Sequence, residues 1–337
     1  MCASSLIFVE FLDWWNGFNR LPLIDIRESQ ENGSLYANDT VIVHLPFSTL
    51  LSGERSCELP PRHVKFAVLI DKAQTNLVET SQFFGRTTSQ ATQQSRKPWL
   101  VEQAILVNED LWMTVRKLGI FVDSCIEHST SDPFRPLSRL WQPDPIIPEL
   151  LWPLLKPELL KLNQIDVPLE IWDLGSGAGR DITFLAEQIK VEGMTNIHIV
   201  GVDNHKGSAD RCLPFWRHRG VADVTTHILL DLNKITKLEE ALGDKCVVCI
   251  YAVRFWNPRM IRWLATNARL NPNTLFAISH FCKTGPTWDF DHPKESRVLQ
   301  REELANIFSA DWEILQDRIA LDGDHGRTLI HFVARKR

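Results

Sequence analysis

Three glycines follow an apolar segment that ends in an acid, in the order Ile171-Trp172-Asp173-Leu174-Gly175-Ser176-Gly177-Ala178-Gly179-Arg180. Behind them, residues 181–189 repeat apolar side chains at helical spacing. A strand that turns through glycines into a helix lets the backbone come close to a nucleotide-like ligand. This stretch therefore predicts a ligand-binding turn between a strand and a helix.

The spacing of the glycines distinguishes between possible ligands. A dinucleotide-binding turn has the pattern G-x-G-x-x-G, and here Gly179 comes one residue early. S-adenosylmethionine carries no phosphate, and it presents an amino-acid end, a ribose and an adenine. The glycines let the methionyl and ribose parts reach the backbone, and Asp173 can bind the ammonium group. A purely structural turn and an NAD-dependent dehydrogenase are the alternatives to this interpretation.

Two further acids stand at the ends of predicted strands. Asp203, followed by Asn204, ends the second strand, where a carboxylate can accept both ribose hydroxyls. Asp231, followed by Leu232, ends the third strand, where it can accept a proton of the adenine amino group. Each acid taken alone is also typical of a helix cap or a solvated turn. In this order, at the carboxyl ends of successive strands, the acids favour a S-adenosylmethionine site.

The glycine turn belongs to a region in which apolar strands alternate with helices. The predicted strands are residues 169–174, 197–203, 224–231, 246–253, 274–281, 312–319 and 328–334, and the predicted helices are 181–191, 207–219, 237–242, 258–268 and 300–308. This alternation predicts a mainly parallel sheet with helices on both faces. The connector at 320–327 is rich in turn residues, so the last two strands should form an antiparallel hairpin. We therefore predict an α/β domain with a seven-stranded Rossmann-like sheet over residues 166–337.

These motifs resemble those of a class I S-adenosylmethionine-dependent methyltransferase. The finer pattern resembles the tellurite-resistance-type group, through Gly-Arg-Asp at 179–181, Val-Arg-Phe at 253–255 and Asp-His-Gly-Arg at 324–327. The resemblance covers about residues 137–337. It implies S-adenosyl-L-methionine as the cofactor, bound by Asp173, Gly175, Ser176, Gly177, Gly179, Arg180, Asp203, Asn204, Asp231 and Leu232.

Two residues are candidates for a catalytic role on the acceptor side. Arg254 follows the fourth predicted strand and faces the expected cleft, and His280 near the end of the fifth can take a proton. A structural arginine and a core histidine are the alternative interpretations. Methyl transfer from an electrophilic sulfonium mainly needs alignment and exclusion of water. We expect a small-molecule acceptor in a pocket with apolar walls; RNA or protein acceptors, and a non-catalytic cofactor-binding adaptor, are the other possibilities.

Basic side chains cluster near the end of the second predicted helix of this domain. Arg211, Arg217, His218 and Arg219 can meet an acidic substrate, or they can form a solvated helix face.

The first 125 residues carry a second resemblance. Leu-Ile-Asp-Ile-Arg-Glu at 23–28 and His-Leu-Pro at 44–46 resemble a rhodanese-like domain. An active rhodanese has a cysteine after its central strand, and the predicted strand at 64–71 ends in Asp71 instead. A carboxylate cannot carry sulfane sulfur, so the resemblance implies an inactive α/β domain that serves as scaffold, dimerisation or docking module. We predict a mobile loop at 80–97, and a linker with a lead-in helix over 126–165.

The composition of the chain restricts the cellular compartment and the binding partners that we expect. The chain has 337 residues, a net charge of -5 and 44% hydrophobic residues, which argues against a dominant nucleic-acid footprint. Its seven cysteines are scattered and odd in number, which is typical of proteins in a reducing compartment. The first residues lack a basic leader, and no apolar run reaches the ~20 residues that span a bilayer. We expect a soluble cytoplasmic protein without a metal site, with a possible homodimer through the N-terminal domain.

Overall fold

The structure is a computed structural model that describes residues 6–17, 20–28, 34–35, 40–71, 77–85, 98–118, 121–122, 134, 136–165, 167–322 and 326–337. The chain divides into two compact units. Unit 1 comprises residues 1–133 and 137–141, and unit 2 comprises 134–136 and 142–337. The polar segment at 127–133, where the sequence predicts a boundary, lies outside the described residues. The predicted lead-in helix belongs to unit 2 itself.

Unit 1 is built around a parallel sheet. Its elements are β1 (Phe8–Val9), α1 (Phe11–Asn16), β2 (Leu23–Asp25), β3 (Ser34–Leu35), β4 (Ile42–His44), α2 (Phe47–Ser52), β5 (Lys65–Ile70), α3 (Leu77–Gly85), β6 (Leu100–Leu106), α4 (Glu109–Lys117) and β7 (Phe121–Val122). Five strands pair in the parallel order β1-β6-β5-β2-β4, and β3 and β7 form a separate antiparallel pair. The central strand β5 is buried from Phe66 to Ile70 because apolar clusters cover both faces of the sheet.

The predicted loop at 80–97 is wrong over its first residues. Helix α3 continues to Gly85, and its Phe83 and Phe84 are buried in the core of unit 1. Phe83 stacks on Trp99 with ring centroids 5.6 Å apart. Tertiary packing of these two rings therefore overrides the polar composition that indicated a loop. Residues 86–97 lie outside the described residues.

Unit 2 contains the glycine turn. After a π-helical turn at Ile147–Leu151, its elements are α5 (Trp152–Leu162), β8 (Leu169–Leu174), α6 (Arg180–Val191), β9 (Ile197–Asp203), α7 (Lys206–His218), β10 (Thr225–Leu229), α8 (Ile235–Leu242), β11 (Cys246–Val253), α9 (Pro258–Thr266), β12 (Leu275–Lys283), β13 (Leu299–Gln300), α10 (Glu303–Phe308), β14 (Trp312–Asp322) and β15 (Arg327–Lys336). Every predicted strand and helix of this domain is present, with ends that differ by a few residues. The unit is therefore mixed α/β, as predicted.

The sheet of unit 2 follows the order β10-β9-β8-β11-β12-β15-β14. The first five strands of that order are parallel, whereas β15 runs antiparallel to both β12 and β14. The predicted antiparallel hairpin is confirmed. The prediction of seven strands is incomplete, because the short strand β13 pairs with β12 and makes eight. Gln300 lies in that strand, so the helix predicted from residue 300 begins only at Glu303.

Strand register brings the polar residues of unit 2 to one edge of the sheet. The carboxyl ends of β8, β9 and β11 meet there, with Asp173 paired to both Gly201 and Tyr251. Alternation along the strands puts Asp173 and Tyr251 on one face, and it puts the apolar core of Trp172 and Ile250 on the other. Within the described part of the chain, no helix combines the length and the apolar character needed to cross a membrane.

Candidate functional site

The glycine turn depends on backbone angles that other residues avoid. Gly175, Gly177 and Gly179 have φ of 83, 55 and 73°. Only glycine adopts such angles without steric cost. The Gly175 N–H donates to the Val202 carbonyl oxygen at 2.8 Å, which fastens the turn to strand β9. The turn is therefore held directly beside the acid that ends that strand.

The three glycines have different surroundings. A Cβ on Gly175 would lie 2.6 Å from the Phe255 side chain, and one on Gly179 would lie 2.8 Å from the Trp216 ring. Packing within the protein therefore requires glycine at both positions. A Cβ on Gly177 would meet nothing within 4 Å. The middle glycine is thus the position at which a ligand can approach the backbone.

Asp203 joins the glycine turn to the end of strand β9. Its Oδ2 accepts a hydrogen bond from the Gly177 N–H at 2.9 Å, and its Oδ1 accepts one from the His205 N–H at 2.7 Å. Each carboxylate oxygen can accept a further bond, so the group can still receive hydroxyls. This arrangement suits a ligand that presents hydroxyls to the carboxylate.

Asp173 is a buried acid beneath the turn. Burial raises its pKa well above the usual range, and the charges of Asp181 and Asp203 raise it further, whereas the Tyr251 hydroxyl lowers it. A buried carboxylate of this kind favours a cation close to it, because the cation offsets the loss of solvation. The predicted ammonium-binding role of Asp173 is therefore chemically consistent with its surroundings.

An open cleft of ≈ 530 Å³ borders the turn. Its volume falls within the range of about 300–1,000 Å³ that is typical of ligand pockets. Its walls are Gly175, Asp203, Asn204, Leu232, Asn233, Arg254, Phe255, Trp256, Asn257, Pro258, Arg259 and Arg297. Five residues predicted from the sequence, Gly175, Asp203, Asn204, Leu232 and Arg254, are therefore brought together in one cleft.

Asp231 is placed differently from the prediction. Strand β10 ends at Leu229, so Asp231 follows the strand instead of ending it. Its Oδ1 accepts hydrogen bonds from the Asn233 backbone N–H at 3.0 Å and from the Asn233 side chain at 2.9 Å, which lower its pKa. The next residues, Leu232 and Asn233, line the cleft. Asp231 thus shapes the turn that carries them, and its Oδ2 is the oxygen left for a ligand.

Two more predicted cofactor residues lie in the turn and directly after it. Arg180 is the first residue of helix α6. Ser176 lies within the turn, and its hydroxyl is buried without a hydrogen-bond partner among the described residues. An unsatisfied buried hydroxyl at this position is consistent with a ligand contact.

Arg254 has a strained backbone and a bridging side chain. Its φ is 57°, a value that non-glycine residues rarely adopt outside functional sites. The guanidinium lies 3.4 Å from Asp144 Oδ2 and 3.3 Å from Asp322 Oδ2, both long contacts. It also lies over the Phe281 ring, 4.9 Å from the centroid. Arg254 is therefore a cleft residue whose charge is shared between two carboxylates.

His280 is a buried, neutral histidine. Its Nε2 lies 2.8 Å from the Arg297 carbonyl oxygen, and burial lowers its pKa to about 4. Its Nδ1 has no hydrogen-bond partner among the described residues, and its ring is 6.3 Å from that of Trp256. The ring is thus available as a neutral acceptor near the cleft wall. Its role as the catalytic base stays a prediction.

The basic cluster on helix α7 is not a uniform solvated face. Arg217 and His218 are exposed, but Arg219 is 2% exposed. Arg219 Nε donates to Glu187 Oε1 at 2.7 Å, forming a buried pair between the end of helix α7 and helix α6. Arg219 therefore has a structural role and does not face a substrate.

Sequence reasoning missed Asn257. Its Oδ1 accepts the Met260 N–H at 3.1 Å and caps helix α9, while its Nδ2 donates to the Leu232 carbonyl oxygen at 3.2 Å. The side chain therefore ties two walls of the cleft together. Asn followed by Pro258 at a predicted helix start is a capping signal that could have identified this residue.

No protein family and no curated protein matches this sequence. Similar solved structures include TehB from Haemophilus influenzae, with a TM-score of 0.35 and 17% identity over 54% of this chain and 62% of that chain. A geranyl diphosphate C-methyltransferase from Streptomyces coelicolor A3(2), solved with S-adenosyl-L-homocysteine, has a TM-score of 0.40 and 11% identity over 57% and 84%. TrmN from Thermus thermophilus has a TM-score of 0.36 and 14% identity over 55% and 49%.

Proposed function

We propose that this chain is an S-adenosylmethionine-dependent methyltransferase that acts on a small-molecule acceptor. The observation that carries the proposal is the hydrogen bond from the Gly177 N–H to Asp203, a residue that lines the open cleft. The open space beside Gly177 permits a close approach to the backbone, and the Asp203 carboxylate beside it accepts hydroxyls. Such a site fits a ligand with an ammonium and a ribose.

Different residues of the site would bind different parts of the cofactor. The glycine turn and Asp173 would hold the amino-acid end, and Asp203 with Asn204 would hold the ribose. Leu232 and Asp231 would contact the adenine. When bound, the cofactor supplies an electrophilic methyl group. The protein then needs to align the acceptor and exclude water, and Arg254 and His280 are the proposed residues on that side.

We further propose that unit 2 belongs to the tellurite-resistance-type group and that unit 1 is an inactive rhodanese-like domain. The five-stranded parallel sheet of unit 1 and Asp71 directly after β5 support the second part. Asp71→Cys alone should give no thiosulfate sulfurtransferase activity, because residues 72–78 contain no arginine. Measurable turnover by that variant would mean that the segment after Asp71 supports sulfurtransfer after all, and that Asp71 alone makes the domain inactive. Sedimentation of the full chain tests whether it forms a homodimer.

Isothermal titration with S-adenosylhomocysteine and with NADH tests the cofactor. We expect S-adenosylhomocysteine to bind and NADH not to bind. Gly177→Val should abolish the binding, since its side chain would fill the open space beside the turn. Gly193→Val is the matched control, because Gly193 also has a positive φ of 67° and open space around it.

The control removes backbone strain as an explanation. If both valine variants lose binding, the loss reflects strain and not the turn. If the full chain does not bind S-adenosylhomocysteine at millimolar concentration, the proposed function is wrong.

A further inference from the structure

Two polar side chains inside unit 2 lack hydrogen-bond partners. Ser279 and His331 lie directly opposite each other in the antiparallel ladder of β12 and β15. They are 0% and 1% exposed. The Ser279 hydroxyl and both His331 ring nitrogens make no hydrogen bond within the described part of the chain. Buried polar atoms are nearly always paired in folded proteins, so this pair is suited to receive a polar group.

The pair lies close to the candidate cleft. Residues directly opposite each other on one sheet face have Cβ atoms about 4.5–5.5 Å apart. The Arg254 N–H donates to the Ser279 carbonyl oxygen at 2.7 Å, so Ser279 is bonded to a residue that lines the cleft. Strand register and alternation put Ser279 and His331 on the same face as Asp173 and Tyr251. Ser279 and His331 therefore lie on the sheet face opposite the apolar core of Trp172 and Ile250.

A carboxylate is fixed next to His331. Asp144 Oδ1 lies 3.7 Å from His331 Nε2, just beyond hydrogen-bond distance. The Asp144 N–H donates to Asp181 Oδ1 at 2.8 Å, which holds the residue at the start of the π-helical turn. A carboxylate beside an imidazole orients the ring and stabilises the charge that the ring gains with a proton.

The next residues along the same face are apolar. Phe281 and Leu329 are also directly opposite each other in the ladder, and they form a cluster with Val298. Trp288 packs against this cluster. A polar pair with apolar neighbours fits a molecule that combines an apolar body with a single hydroxyl or thiol.

We propose that Ser279 and His331 form the polar end of the acceptor subsite, which takes an apolar molecule bearing a hydroxyl or thiol. This rests on the proposed methyltransferase function. A lone pair of the acceptor oxygen or sulfur forms the bond to the methyl carbon, while the carbon–sulfonium bond breaks and its electron pair returns to sulfur. The proton of the hydroxyl or thiol moves to a His331 ring nitrogen, and Asp144 is the positioning residue.

Histidine ¹⁵N NMR of the full chain saturated with S-adenosylhomocysteine tests the subsite without turnover. Phenol and ethanethiol are the probes. We expect at least one of them to shift the His331 ring resonances and to leave those of the half-exposed His198 unchanged. Ser279→Ala should weaken the binding of that probe by about fivefold or more, since one hydrogen bond is lost. If neither probe shifts the His331 resonances, the subsite does not exist.

Transfer from methyl-labelled S-adenosylmethionine to the bound probe tests the role of His331. His331→Gln should lower kcat by about 100-fold, as loss of a general base does, without changing the Kd of S-adenosylhomocysteine. The loss should be smaller with ethanethiol, whose proton leaves more easily. His198→Gln is the control and should change neither quantity.

The charged groups that face His331 are Asp144, Glu149, Arg254 and Arg318. Asp144→Asn should therefore shift the pH profile of kcat. The control variant His198→Gln should leave that profile unchanged. Unchanged kcat in His331→Gln, or binding of phenol without its methylation, overturns the catalytic role. Failure of S-adenosylhomocysteine to bind at all contradicts the proposed function instead, so the two failures are distinguishable.

Discussion

Two acids end buried parallel strands in the two units, and their partners differ. In unit 1, Asp25 ends β2 and is 1% exposed. Arg27 donates to both of its carboxylate oxygens, at 2.8 and 2.6 Å. In unit 2, Asp203 ends β9 and lies on an open cleft, and among the described residues it accepts hydrogen bonds from backbone N–H groups only. One acid is paired with an arginine inside its unit, and the other lies at a cleft that a ligand can reach.

The comparison teaches that an acid at a strand end is not by itself a ligand site. The guanidinium of Arg27 satisfies Asp25 and is itself covered by Trp112, whose ring centroid is 4.5 Å away. Asp25 and Arg27 are both buried, so a ligand cannot reach the pair. A carboxylate held only by N–H groups has unused lone pairs and an uncompensated charge. The partner therefore decides whether the acid supports the fold or serves a site.

The largest expected effect is on stability, from Asp25→Ala. Loss of the carboxylate leaves Arg27 as a buried charge without its partner, which costs about 3–5 kcal/mol. Urea unfolding of the full chain should show an earlier transition for unit 1. The Kd of S-adenosylhomocysteine for the folded protein should not change. The double variant with Asp25→Leu and Arg27→Met should recover most of the stability, and a failure to recover would mean that the ion pair is not the cause.

The second effect is on binding, from Asp203→Ala. Loss of charge-assisted hydrogen bonds to the ribose should weaken S-adenosylhomocysteine by about 1.5–3 kcal/mol, or roughly 10–150-fold in Kd. Titration calorimetry measures it directly. Asp203→Asn keeps one oxygen for the Gly177 N–H, so it separates loss of the ligand contact from loosening of the turn. An unchanged Kd in both variants would remove the distinction between Asp203 and Asp25.

The sequence distinguishes these two acids only in part. The partner of Asp25 is two residues away, but the Asp-Ile-Arg spacing at 25–27 does not by itself indicate a buried ion pair. The partner of Asp203 is Gly177, which lies 26 residues earlier. That contact was predictable only because strand alternation brings both to the same sheet edge. The spacing of apolar residues thus predicted the strands, and the spacing of the glycines predicted the turn, because the turn needs residues with positive φ.

Other features could not be read from the sequence because they depend on tertiary contacts. Helix α3 is fixed by burial of Phe83 and Phe84, although its neighbouring residues are polar. The bridging position of Arg254 depends on Asp144 and Asp322, which lie 110 and 68 residues away. Ser279 and His331 meet only because β15 inserts next to β12. The periodicity of a strand does not indicate the role of a polar residue inside it. That role depends on which strands are neighbours in the sheet.

The third prediction compares two glycines of the turn: Gly175, which packs against Phe255, and Gly177, which has open space beside it. Gly175→Ala and Gly177→Ala share a positive φ, so both should lose about 1–2 kcal/mol from backbone strain. Gly175→Ala adds a contact of 2.6 Å with Phe255, which should cost about 1–2 kcal/mol more as overpacking. Thermal unfolding of both variants checks the difference. Equal destabilisation would mean that the Phe255 ring moves aside and that the first glycine is not required by packing.

The smallest expected effect comes from Asp181, a third acid, whose partner is the Asp144 backbone N–H. Burial raises its pKa from 3.8 to about 6, although Arg180 and Arg254 act in the opposite direction. The folded state therefore binds more protons than the unfolded state between these pH values, and this group lowers the free energy of unfolding as pH rises from 3.8 to about 6. Asp181→Asn keeps an oxygen for the N–H and removes the titration. It should stabilise unit 2 at pH 7 by on the order of 1 kcal/mol, with no gain near pH 4.

Urea unfolding of wild type and Asp181→Asn across this pH range gives the difference directly, since other titrating groups cancel. Asp223→Asn is the control, because that carboxylate is exposed and paired with Lys190 at the surface. A gain that is equal at both pH values would show that the Asp181 carboxylate is not strained by burial. Asp181 would then resemble Asp25, whose hydrogen bonds satisfy its carboxylate. Of the two acids whose partners are backbone N–H groups, only Asp203 would then remain able to bind a ligand.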